Sequence, residues 1–357
     1  MAADPSYPLL PVASIACSAL LLLVLISRTI LQSWNLGVTI LSFFLFLHTL
    51  IVGIDTIVWS DDYEVKHVLY CDITTRVKMF ATLVRPACSL LITRRLSKIV
   101  SARSVTSASE REKRVDLCIE LGMGLVFPGI VVGVFCSLTL PLYIVQGSRF
   151  QIYEGFGCQS AVNVDVVELL LIESWGLTLP LISIVLYSRI IWEFYRNGRE
   201  TNRFLKSDSL VARDIYLRII VLGCADIFFT LPVGAAQMII AVNYGLHFIH
   251  RLPFYSGWSS GHSAASSAPE IFPFSETSSW ALSTAYISSW APVALGYIVI
   301  LLFGFTPKAR ASYRHAYLQV LQLLPCGHRK RPPSHPVEMD FAEASSTEVC
   351  DECCKRH

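Results

Sequence analysis

The chain has 357 residues, 53% of them apolar and only 16% charged, with a mean hydropathy of +0.52. Soluble domains carry about 25% charged residues, so this composition argues against a soluble enzyme and for the membrane class. A net charge of +2 gives no footing for a nucleic-acid partner.

Crossing ~30 Å of hydrocarbon takes about 20 apolar residues. Windows of that kind recur seven times, at about 8–27, 36–59, 70–93, 116–145, 162–192, 215–243 and 280–305. No positive residue precedes the first window and Arg28 follows it, so it reads as a signal anchor that is retained. The second carries His48 and Asp55. The third opens with "LYCDITTRVKMF" at 69–80 and is one of the two least apolar, with the fifth. Asp72 and Arg76 are four apart, so on a helix they share a face and can pair. Lys78 and Arg85 are seven apart and share a different face.

The fourth window contains Gly122, Gly124, Gly129 and Gly133, and the last two form a G-x-x-x-G. Such a motif serves a close helix contact within a bundle or a homodimer face. The fifth has an acidic outer half, Asp165, Glu168 and Glu173, to which the third-window cations are natural counterparts. The sixth holds Arg218 and Asp226. Pro86, Pro128, Pro180, Pro232 and Pro292 fall within windows, where neighbouring helices can satisfy the freed carbonyls.

Orientation follows from the loops. With the N-terminus outside, the inner segments hold 21 Lys/Arg and the outer segments 3. The expected fold is therefore an all-α membrane protein, a seven-transmembrane helix bundle with its N-terminus outside and its C-terminus cytosolic. The long outer loop, 244–279, is rich in Ser, Gly, Pro and aromatic residues and is expected to be mostly irregular. Residues 306–357 form a cytosolic tail that is expected to be disordered from about 325. An odd span count and no internal repeat disfavour the paired halves of many transporters.

Of eleven cysteines, only Cys71 and Cys158 fall at the outer, oxidising face. A disulfide between them would tie the loop between spans four and five over the bundle mouth; the alternative is two free thiols. Cys326 is a candidate lipidation site. Cys350 and Cys353 have C-x-x-C spacing without a second pair, so no metal site is expected, and no cofactor is expected either.

Ionisable residues inside spans are costly and often functional. Two readings stand side by side for these: charges that fix helix register, and charges that line a polar ligand cavity. Candidate ligand contacts are Asp72, Arg76, Lys78, Glu154, Glu168 and Glu173.

The third span and its exit, "YCDITTRVKMFATLVRPACSLLITRRLSKI", resemble the fungal mating-pheromone receptors of the a-factor type, class D G-protein-coupled receptors for lipidated peptides. The resemblance extends over Asn35 and Trp59, Cys71 to Arg76, Arg94-Arg95-Leu96 with Ile99, Pro128, Tyr143 to Gln146, Arg149-Phe150, Glu154 and Gly157-Cys158. It continues through Pro180, Tyr187, Phe194, Tyr216, Arg218, Pro232, Trp290 and Phe303-Gly304-Phe305-Thr306, with Ala309 and Tyr313. Pro307-Lys308 departs from the acidic residue usual there. The DRY and NPxxY signatures of rhodopsin-like receptors are absent.

The resemblance implies a farnesylated, C-terminally methylated peptide as ligand, a heterotrimeric G protein as partner, and a multi-pass protein of the plasma membrane, in contact with its lipids, rather than an enzyme. Candidate G-protein contacts are Arg94, Arg95, Leu96, Lys98, Arg203, Lys206 and Arg213 on the basic inner surface. A transporter or channel is the alternative. A membrane hydrolase ranks behind it, because His48 with Asp55 is too sparse a metal-ligand set.

Overall fold

The computed structural model describes residues 4–31, 36–101, 110–132, 146–196, 210–247, 252–257 and 268–305, with Arg310 and Arg314. Among them are seven long helices. They are α1 (Leu9–Leu31), α2 (Leu36–Val58), α3 (Val68–Ser101) and α4 (Glu110–Leu121, a π-helical turn Gly122–Val126, then Phe127–Val132). They continue with α5 (Val166–Glu168, a π-helical turn Leu169–Glu173, then Ser174–Arg196), α6 (Leu210–His247) and α7 (Ser279–Val299, then a π-helical turn Ile300–Gly304). All lie in one compact unit, Met1–Ala316; the second unit, Tyr317–His357, falls outside the described residues, Cys326 included.

Six of the seven are long and apolar enough to cross a membrane by themselves. The exception is α3, whose charged Lys78 is buried within the protein. At 1.5 Å per residue its 34 residues span about 51 Å, well beyond the hydrocarbon thickness. Its central face, Phe80, Ala81, Leu83, Val84, Ala87, Cys88, Leu91 and Ile92, is buried. That face joins Leu41 and Leu45 of α2, Ile172 and Ile190 of α5, Leu222 of α6 and Val293 and Val299 of α7 in one core cluster. α3 is the bundle's internal strut, so it need not be lipid-compatible.

Polar side chains within the helices are satisfied locally. Ser42 donates to the Val38 carbonyl, Thr49 to Leu45, Thr56 to Val52, Thr75 to Cys71 and Thr93 to Ser89, each over one helical turn. Small residues allow close crossings. A methyl on Gly234 of α6 would come within 2.7 Å of the Gly176 carbonyl oxygen in α5. One on Gly53 of α2 would meet Ile15 of α1 at 2.7 Å.

The structure adds two details to these expectations. The helices overrun their apolar windows: α3 extends to Ser101, α4 begins at Glu110 and α6 at Leu210. The loops at one end of the bundle are not purely irregular. They build a three-stranded sheet from β1 (Gln151–Tyr153), β2 (Gly157–Gln159) and β3 (Glu270–Phe272), in the order β2-β1-β3. β1 and β2 form an antiparallel hairpin, and β3, from the loop before α7, pairs parallel to β1. Gly133 and residues 133–145 lie outside the described residues, so the G-x-x-x-G is described only at Gly129, which is buried.

Candidate functional site

The sheet closes one end of the bundle. Cys71, one turn into α3, is disulfide-bonded to Cys158 of β2, with a Cα–Cα distance of 5.4 Å. Trp59, Cys71, Phe150, Ile152 and Cys158 form a fully buried cluster beneath the hairpin. A second cluster, Leu10, Val52, Phe156 and Ala285, packs the hairpin tip against α1, α2 and α7. The tip turns through Gly155 and Gly157, both at positive φ. A side chain at Gly157 would also strike Asp55, with Cβ–Cβ at 2.6 Å. The Gly155 N–H donates to the Trp59 carbonyl at 2.7 Å, which fixes the tip to the end of α2.

Directly under the lid lies a charged network. Cys71 and Lys78 are two helical turns apart and share a face of α3. Lys78 Nζ reaches Asp55 Oδ2 of α2 at 2.8 Å and also donates to the carbonyl oxygen of Cys158. Tyr70 donates its hydroxyl to Asp55 Oδ1 at 2.8 Å. Asp55 is completely buried and Lys78 nearly so. The partner of Lys78 is thus on α2. Among the described residues no ion pair joins α3 to the acidic start of α5, and the expected α3–α5 pairing is replaced by this one. Asp55 was legible as a charge in an apolar span, but its partner was not, because the sequence does not fix the rotation of one helix against another.

Beside the disulfide, Asp72 pairs with Arg149 rather than with Arg76. The guanidinium approaches both carboxylate oxygens, Nε to Oδ1 at 2.9 Å and Nη2 to Oδ2 at 2.5 Å. This planar two-point fork is favoured over the single-point contact that an i,i+4 spacing allows. The Asp72 hydrogen bond raises the Arg149 guanidinium above its ordinary pKa. Asp72, Thr75, Arg76, Gln146, Arg149, Ser160, Ala161 and Val162 line a polar pocket of about 130 Å³. Drug-sized ligands occupy roughly 300 Å³ or more, so this pocket admits one polar group, not a whole peptide. Arg76 is exposed on it.

Glu154 works within the lid. Its Oε2 accepts from the Phe274 N–H at 2.8 Å, and its own N–H donates to the Phe272 carbonyl at 3.1 Å. Burial pushes the Tyr153 phenol up to about 12. The N-terminal segment contributes a residue with no sequence signal: Asp4 is buried and accepts from the Tyr286 hydroxyl of α7 at 2.6 Å.

On α5, Asp165 is the N-cap, accepting from the Glu168 N–H at 2.8 Å and from the Ser256 N–H at 3.1 Å. Glu168 is buried and one of its carboxylate oxygens has no hydrogen-bond partner. Glu173 is half-buried at the end of the π-helical turn. Deeper in the bundle, Asp226 of α6 is buried and accepts from Thr230 at 3.0 Å.

At the opposite end of the bundle the basic residues of α3 are already engaged. Arg94 bonds Asp116 of α4 at 2.9 Å, and Lys98 meets the same carboxylate oxygen. Arg95 approaches Glu120 at 3.7 Å. Leu96 is buried in the core rather than presented as a contact surface, which corrects its assignment as a docking residue. Arg213 lies on the first turn of α6; Arg203 and Lys206 lie outside the described residues. Arg218 of α6 donates to the Leu302 carbonyl in the terminal turn of α7 at 2.8 Å.

Comparison with known proteins agrees with this architecture. The family described as "STE3: Pheromone A receptor" matches residues 10–322. The chain is similar to the Pheromone B alpha 1 receptor of Schizophyllum commune, 29% identical over 320 residues, covering 86% of this chain and 46% of that protein. It is similar to Pheromone receptor 1 of Ustilago hordei, 26% identical over 298 residues, covering 82% of this chain and 78% of that one. Pheromone receptor 1 of Mycosarcoma maydis is 25% identical over 325 residues, covering 88% and 84%. The chain spans about half the length of the Schizophyllum relatives it matches. With seven helices, a disulfide-anchored lid and a family match over most of its length, this multi-pass membrane protein belongs to the STE3 pheromone A receptor family.

Proposed function

We propose that the protein is a plasma-membrane G-protein-coupled receptor for a farnesylated peptide pheromone, and that it starts a mating response through a heterotrimeric G protein. The observation that carries this reading is the family match across residues 10–322, which takes in all seven helices and the lid. The relatives are named as pheromone receptors.

In this reading the sheet-capped end faces outward, as the distribution of Lys and Arg favours, and residues 306–357 form a cytosolic tail. Ligand contacts come from the outer ends of the helices. Arg76 on the polar pocket and Glu168 and Glu173 on α5 are its polar contacts. Asp72 acts through its pair with Arg149, Lys78 holds α2 to α3 beneath the lid, and Glu154 holds the lid itself. A ligand acts only through a difference in affinity between two states of the bundle. The opposite end presents Arg94, Arg95, Lys98, Arg203, Lys206 and Arg213 to the G protein and to anionic lipid. The first three do so in exchange for their α4 partners.

The test is expression in a fungal mating-reporter strain that lacks its own receptor, challenged with a panel of farnesylated peptides. A dose-dependent reporter response is expected from at least one of them. Silence to the whole panel, with the receptor confirmed at the cell surface, overturns the reading.

A further inference from the structure

The π-helical turn of α5 brings the positions of Glu168 and Glu173 towards one face of the helix. In an α-helix a side chain five positions on points about 140° away, at about 100° per residue. A π-helical turn has about 4.4 residues per turn, so five steps bring the side chain back to within about 50°. Leu169–Glu173 is such a turn, and it carries Glu173 round onto the face of Glu168. Glu168 and Glu173 thereby lie towards one side of α5. Asp165 is spent on the helix cap, its two oxygens taken by the Glu168 and Ser256 N–H groups.

Glu168 is 4% exposed, and its Oε2 has no hydrogen-bond partner. Burying a carboxylate without a partner is unfavourable, and a like charge near it makes it more so. No Lys, Arg or His among the described residues pairs with either group. Nor do three His, Cys, Asp or Glu among those residues gather as a metal site would require. The pair therefore needs a balancing positive charge, which a bound organic cation or a proton can supply. Glu168 and Glu173 lie about 4.5 and 12 Å along the helix from Asp165, near the sheet-capped end.

Resting on the receptor reading, we propose that Glu168 and Glu173 form the subsite for a positively charged group of the peptide ligand, an alkylammonium or guanidinium that enters between them. A charge-assisted hydrogen bond to a buried carboxylate contributes about 1.5–3 kcal/mol, equivalent to at least about tenfold in potency.

The probes are farnesylated peptides that carry Lys or Arg at each position in turn, matched with neutral norleucine or citrulline analogues, and each with a free or acetylated amine. On the wild-type receptor, cationic members are expected to be at least about tenfold more potent than their neutral analogues. Glu168→Gln and Glu173→Gln are expected to bring that ratio towards one. Equal potency of charged and neutral analogues on wild type, or a ratio unchanged in both variants, overturns the inference. Silence of wild type to every peptide strikes the receptor reading itself and is thereby distinguished.

A second measurement does not depend on the variants reaching the surface. Infrared difference spectra of the purified wild-type receptor in lipid discs are expected to lose a protonated-carboxyl stretch when cationic peptide is added, and not when the neutral analogue is added. The same spectrum with both peptides means that the two glutamates share a proton and take no ligand cation.

Discussion

Lys78 of α3 and Asp55 of α2 form a buried ion pair at 2.8 Å, directly beneath the disulfide that holds the lid. Lys78 also donates to the Cys158 carbonyl, so one ammonium joins two helices to the loop above them. The pair is the hub of the capped end.

Removing one partner of a buried pair leaves an uncompensated charge and costs about 3–5 kcal/mol. Asp55→Ala and Lys78→Ala are each expected to lose most surface expression. The double substitution Asp55→Asn with Lys78→Met leaves no stranded charge and is expected to recover part of it. Thermal unfolding of the purified variants, ranked against wild type, checks the order.

Gly157 must be glycine for two reasons. Its backbone is left-handed at φ +71, and a side chain would meet Asp55. Gly157→Ala combines about 1–2 kcal/mol of backbone strain with about 1–3 kcal/mol of overpacking, and is expected to lower expression sharply. Gly122→Ala, with no atom within 4 Å of the new methyl, serves as the comparison and is expected to express as wild type.

Losing the Cys71–Cys158 bridge is expected to cost about 2–5 kcal/mol. Cys71→Ser, Cys158→Ser and the double variant are expected to show one and the same loss, because each removes the same bond. Thiol alkylation with and without reduction reads the bridge directly. Normal surface levels and signalling in both single variants would rule out a structural role for it.

The Asp72–Arg149 pair is exposed, so it adds no more than about 1 kcal/mol to stability. Asp72→Asn is expected to leave surface expression unchanged while shifting ligand potency, because it frees Arg149 at the rim of the pocket. The exchange Asp72→Arg with Arg149→Asp is expected to restore the wild-type dose–response curve.

At the other end, Asp116 holds both Arg94 and Lys98. If this end meets a G protein as proposed, Asp116→Asn frees two cations for it and is expected to raise ligand-independent reporter activity. Arg94→Gln with Lys98→Gln, which removes those cations, is expected to abolish that rise.

The apolar windows located all seven helices, because apolar length is a property of the sequence itself. Even α3 was found, although its charge keeps it below the apolarity of the others. The cysteine pair was legible from its expected place on the outer face, and the structure bonds the two. What escaped was long-range geometry. Asp72 and Arg76 satisfied the i,i+4 spacing, yet Arg149, 77 residues away, offers a two-point fork that the spacing does not reveal. β3 is three residues, Glu-Ile-Phe, too short to display alternation within a loop of mixed polarity. The convergence of Glu168 and Glu173 depends on a π-helical turn, and no residue type in Leu-Leu-Leu-Ile-Glu announces one. Arg94, Arg95 and Lys98 were read as free surface charge because their α4 partners belong to a neighbouring helix.

The order of strands in the lid imposes a timetable on the newly made chain. Translation runs from the N-terminus, and domains assemble as they emerge. Cys71, β1, β2 and Cys158 are all synthesised before α5 begins, so the hairpin can be latched to α3 while three of the seven helices are still unmade. β3 follows β1 by 119 residues and comes after α6. The parallel edge, the Glu154 bond to Phe274 and the contact of Asp4 with Tyr286 therefore close only when the last helix arrives. A complete cap therefore marks a chain whose last helix has been made and docked.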